Sequence, residues 1–190
     1  MRSNTLRICW DTGLTASVSD CVDEPATHGK LGIVPTTFAQ PTMSAPSHDF
    51  LLLPDSGDRA SQYVAHLHDP AAVRVDDDLV HYMNDSLRWA PSENPAMRNA
   101  AGFGLNLYGP TAFSGDGARQ LVRVLNAWSV LFRCGPEILE LTRCYEHSDE
   151  ADAYERVDRR RDDVIETLER LASLAEEAVV PGLWLLHLGI

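Results

Sequence analysis

The chain has 190 residues, 44% of them hydrophobic, and a net charge of −12 from 28 acidic and 16 basic side chains. That length suits one domain with a substantial core, and the negative field repels phosphate backbones and anionic lipid, which argues against nucleic acid and membrane surfaces as partners. Its longest apolar runs, Phe50–Leu53 and Leu183–Leu186, fall far short of the ~20 residues of a membrane-spanning helix.

Residues 1–42 scatter Thr, Ser, Pro and Gly with no apolar period near that of a helix or a strand. They are expected to be an irregular leader, either disordered or ahead of a misassigned start. Met43 is then the natural first residue and 43–190 a single α+β domain. The leader carries four acidic and three basic residues, so the acidity belongs to the folded part. His48–Pro54 reads as the first strand. Asp58–His68 predicts a short helix, and Asp76 is expected to cap a second one with Leu79, Val80, Met83 and Leu87 on one face.

Two prolines within Trp89–Pro95 predict a break in regular structure. Gly102–Tyr108 then alternates like a strand, which Gly109-Pro110 ends. Ser114 is expected to cap a long helix in which Leu121, Val124, Leu125, Trp128, Leu131 and Phe132 recur at helical spacing; Cys134-Gly135-Pro136 stops it. Ile138–Tyr145 and Tyr154–Val157 predict a hairpin. From Arg159 to Val179 another apolar stripe predicts a helix, with Glu166, Glu169, Arg170, Glu176 and Glu177 on its other face. Leu183–Ile190 predicts a central final strand buried on both faces. Together these elements predict an α+β domain, mostly an antiparallel or mixed sheet packed against two long amphipathic helices.

No stretch has the spacing of a catalytic or metal site. His66 and His68 lie two apart, which on a helix points them in different directions, and they are expected to face solvent at a polar helix end. Asp76-Asp77-Asp78 suits a helix start, where carboxylates meet the positive end of the dipole. Gly102-Phe-Gly104 and Gly115-Asp-Gly117 lack a complete phosphate-loop pattern; Gly104 is expected to mark a bulge or a close backbone approach. Cysteines 9, 21, 134 and 144 have no disulfide or zinc spacing and are expected as reduced thiols of a cytoplasmic protein, Cys134 and Cys144 as buried ones. Trp128 and Trp184 are expected in the core. Arg159-Arg160-Arg161, flanked by Asp158, Asp162 and Asp163, reads as a salt-bridged helix start. No catalytic residue, metal or cofactor is expected.

Asn84–Trp89, Gly102–Gly109, Trp128–Phe132 and Leu186–Ile190 taken together resemble small acidic bacterial proteins, uncharacterised or of polymorphic-toxin immunity type, over residues 43–190. The resemblance implies a single α+β domain that blocks a toxin by binding it. With the negative charge, it leads to the expectation of a non-catalytic domain with a protein partner, a basic toxin domain. The expected contact residues are Asp76, Asp77 and Asp78 together with Trp89, Glu93, Asn94 and Asn99. Two rivals stand beside this expectation: a small enzyme whose dispersed side chains, such as His81, Asp85 and His187, meet in three dimensions, and a structural or oligomeric module resting on the apolar final strand.

Overall fold

The computed structural model describes residues 6–7, 46–147 and 153–189. In chain order the elements are β1 (Leu6–Arg7), β2 (Ser47–Pro54), α1 (Arg59–Ala65), β3 (Val73–Asp76), α2 (Asp77–Leu87), β4 (Pro91–Asn94) and a 3₁₀ turn (Pro95–Met97). There follow β5 (Ala100–Phe103), β6 (Pro110–Phe113), α3 (Gly115–Arg133), β7 (Ile138–His147), β8 (Ala153–Arg160), α4 (Arg161–Glu177) and β9 (Leu183–Leu188). An antiparallel sheet of six strands runs in the order β3-β2-β9-β6-β4-β5, and β1-β7-β8 form a second, smaller one. The fold is therefore α+β. Most of the expected leader lies outside the described residues, although Leu6 and Arg7 pair antiparallel with His147 and Glu146.

Side chains alternate between the faces of a strand, and both faces of the large sheet are used. Phe50, Val73, Val75, Phe113 and Leu185 look toward the helices and meet the buried stripes of α2, α3 and α4. Leu51, Leu53, Ala112, Trp184, Leu186 and Leu188 look the other way and are covered by Tyr63 of α1 and Ala72. The β7–β8 hairpin adds Leu139 and Leu141 to the helix-side core. Strand β9 sits between β2 and β6, buried along nearly its whole length, as its continuous apolar sequence predicts.

The two long helices lie where their periodicity places them. Every apolar position of the α4 stripe, from Val164 to Ala178, is buried. In α3 the stripe is narrower than expected, since Leu131 is 56% exposed and Trp128 half-buried. Trp128 turns its indole edge out of the apolar layer and donates to Ser86 Oγ at 2.7 Å, which satisfies the one polar atom it carries.

Four short strands depart from the sequence reading. Pro91–Asn94 forms β4 despite its proline, because Pro91 stands at the first position of the strand. The strand expected at Gly102–Tyr108 lies instead at Ala100–Phe103, and Pro110, expected to end it, begins β6. Val73–Asp76, too short to carry a period, forms edge strand β3. Gly104 turns the chain at φ +68°, and a Cβ there would stand 2.9 Å from Arg88 Cα, the expected close approach. At Gly117 a Cβ would stand 2.1 Å from the Pro91 carbonyl oxygen, so the first turn of α3 rests directly on β4. Cys134 is exposed where a buried thiol was expected, because it caps α3 beyond the last buried position, Phe132.

Leu125→Ala removes a fully buried side chain from the α3 stripe and is expected to cost about 2–5 kcal/mol, whereas Leu131→Ala is expected to stay within about 0.5 kcal/mol. Urea unfolding midpoints of the two variants check the contrast.

Candidate functional site

Three polar side chains break the apolar helix-facing surface of the sheet at one end. His187 on β9 stands opposite Thr111 on β6 and Phe50 on β2, and His48 is its diagonal neighbour on β2. Both histidines are fully buried and Thr111 nearly so. His48 Nδ1 lies 2.8 Å from His187 Nε2, His187 Nδ1 lies 3.2 Å from Thr111 Oγ1, and His48 Nε2 lies 3.0 Å from Asp77 Oδ1 at the start of α2. One turn further along α2, His81 Nε2 reaches the same carboxylate oxygen at 3.3 Å.

The hydrogens of this chain all run one way. A carboxylate only accepts, so His48 Nε2–H donates to Asp77, and His81 Nε2 stands 3.3 Å from the same oxygen. With both imidazoles neutral, His187 Nε2–H donates to His48 Nδ1 and the Thr111 hydroxyl donates to His187 Nδ1, while the Asn106 backbone N–H donates to Thr111 Oγ1 at 2.8 Å. Five polar groups are thus linked from the centre of the sheet to the surface, where His81 is 43% exposed. Burial, reinforced by the neighbouring His48, holds the His187 imidazole well below the ordinary histidine range, so it stays neutral.

Beside this chain, Arg159 at the end of β8 donates from Nε to Asp76 and from Nη2 to Asp78, each at 2.9 Å. Asp76 occupies the N-cap position of α2, but its side chain makes this ion pair in place of the expected cap. Arg160 and Arg161 pair with Asp163 and Asp162, the expected salt-bridged helix start. His66 Nδ1 bonds Asp69 Oδ2 at 2.9 Å, which holds that carboxyl below its ordinary range, and His68 is exposed at φ +63°.

The seven expected contact residues fall into two groups. Asp76, Asp77 and Asp78 lie where β3 meets α2, at one edge of the six-stranded sheet. Trp89 lies just past the far end of α2, about 17 Å along a helix rising ~1.5 Å per residue, and Glu93, Asn94 and Asn99 lie on and around β4 and β5 toward the other edge, about 19–24 Å away at ~4.8 Å per strand. Within the first group the Asp78 side chain is only 6% exposed and the Asp77 side chain 18%. In the second, Glu93 accepts from Arg59 Nη1 at 2.7 Å and Asn94 Oδ1 caps the 3₁₀ turn, while Asn99 and Trp89 are open to solvent.

Of the dispersed enzyme trio, His81 and His187 do share one network, but Asp85 stands exposed outside it and Asp77 takes the linking role. Sequence reasoning missed His48 and Thr111. Their signal is a parity: on the helix-facing register of β2 and β6, where Phe50 and Phe113 are apolar, His48 and Thr111 are polar. Comparison with protein-family models, with curated proteins and with solved structures finds no match to this chain. Among the described residues no group of His, Cys, Asp and Glu has the geometry of a metal site, and no helix is long and apolar enough to cross a membrane.

An unfolded histidine takes up a proton near pH 6.5, whereas folded His187 resists it. As pH falls below about 6.5 the unfolded state therefore binds the additional proton and stability declines, by at most about 1.4 kcal/mol per pH unit for one group, until the folded pKa is reached; above that range the effect vanishes. His187→Asn is expected to flatten the slope between pH 6.5 and 5 by up to this amount relative to wild type, measured by urea unfolding across that range.

Proposed function

We propose that this domain is a protein-binding module of the bacterial cytoplasm, an immunity protein that neutralises a cognate toxin by covering it. The observation that carries the reading is Trp89. It is 66% exposed, yet Leu87 and Ala90 on either side are buried and its backbone N–H donates to the Ser86 carbonyl at 3.1 Å. A large amphipathic ring held on a rigid turn loses little entropy on binding and is the type of residue that dominates interface energies.

The burial of the histidine chain adds support. His48 and His187 are fully buried, and four depressions around the described residues, of about 180 to 320 Å³, are lined by neither. The most strongly perturbed imidazole, His187, has no exposed surface. The polar chain instead ties α2, and so the turn that carries Trp89, to the centre of the sheet. A net charge of −12 steers a basic partner toward this surface and sets an on-rate that falls with salt.

Affinity capture with the full chain from a lysate of its source is expected to retain one stoichiometric basic protein. Trp89→Ala is expected to weaken that complex about thirtyfold, roughly 2 kcal/mol, without lowering the unfolding midpoint. Capture of no protein, or equal affinity for wild type and Trp89→Ala, overturns the reading.

A further inference from the structure

We propose that two copies of this chain pair antiparallel along β5, joining their six-stranded sheets across a twofold axis at Gly102. Among the described residues β5 has β4 as its one strand neighbour. The direction of its hydrogen bonds follows from the register. Gly104 N–H donates to the Ala90 carbonyl at 2.8 Å, and Pro91 stands opposite Phe103, so Gly102 and Ala100 are the β5 positions that bond to β4. The N–H and C=O groups of Ala101 and Phe103 therefore point away from the sheet.

This edge lacks the charges and prolines that commonly protect one. Ala100-Ala101-Gly102-Phe103 contains no charge and no proline, and Phe103 is 70% exposed. The opposite edge, β3, carries Arg74 and Asp76. A chain at −12 repels a second copy over most of its surface, and this uncharged strip is where two copies approach without opposing like charges.

The strip is also self-complementary in register. Pairing Ala101 with Phe103 of the second copy satisfies every outward group with four N–H···O bonds. It sets each large ring beside a methyl group and puts Gly102 against its own copy at the close, non-hydrogen-bonded position. Arg98, Asn99 and Gly104, all at positive φ, end the ladder on both sides. With four strand residues from each copy, the buried area falls below the ~1,200 Å² of a standard interface, so the dimer is expected to be weak and dependent on concentration. This pairing stands independently of the toxin-binding reading.

Sedimentation equilibrium of the full-length protein is expected to show a reversible dimer that tightens as salt rises from about 0.05 M to about 0.5 M, the reverse of binding to a basic partner. Ala101→Lys and Phe103→Glu, both at exposed positions, are each expected to raise the dissociation constant about tenfold or more with unchanged circular dichroism. Mixed in equal amounts, they are expected to form a heterodimer, because Lys at 101 then faces Glu at 103. A monomer at all concentrations, a dimer indifferent to both substitutions, or two variants that fail to recover association when mixed each overturns the proposal.

Discussion

Burial of β9 against β2 on one side and β6 on the other organises this molecule. Trp184, Leu186 and Leu188 belong to one apolar cluster and Leu185 to the other, so a single strand supplies both cores. Strands buried on both faces need cover on both, and here α2, α3 and α4 provide it on one side while α1 with its flanking loops provides it on the other. Arg59 of α1 strengthens the second layer. Its guanidinium lies over the Trp184 ring, 5.3 Å from the centroid, and pairs with Asp55 and Glu93, so one side chain ties α1 to β9, to the end of β2 and to β4.

Within this apolar frame the polar chain from Thr111 to His81 is costly to bury and costly to break. An imidazole taken out of water without partners forfeits hydrogen bonds worth on the order of 1–3 kcal/mol. Here every ring nitrogen of His48 and His187 has a partner, and the chain ends on a carboxylate that a second, exposed histidine also reaches. Its effect is positional. The bonds hold β6, β9, β2 and the first turn of α2 in one register. Arg159 then clamps that turn to β8 through Asp76 and Asp78. A helix fixed so firmly at its start delivers a rigid turn at its end, where Trp89 is displayed.

The surface has two regimes. Carboxylates dominate the charge, but several of those nearest the core are already bound to arginine or histidine and serve the fold. The most exposed large apolar groups, Phe103, Met97 and Trp89, lie on and around β4 and β5, while Val130 and Leu131 of α3, Val64 of α1 and Val180 after α4 are also more than half exposed.

The long elements were legible from the sequence alone. The stripe from Val164 to Ala178 and the apolar run Leu183–Leu188 each repeat a period often enough to outweigh any local exception, and both lie as their spacing dictates. Strands of four residues carry too little period to be read, so β3, β4 and β6 emerged only when their backbones found partners across the sheet. The same limit applies to the polar chain. His48 to His187, and His187 to Thr111, are contacts across 139 and 76 positions created by strand order alone. Sequence spacing records which residues share a face of one element; which faces meet depends on topology, set by the need to bury β9 on both sides.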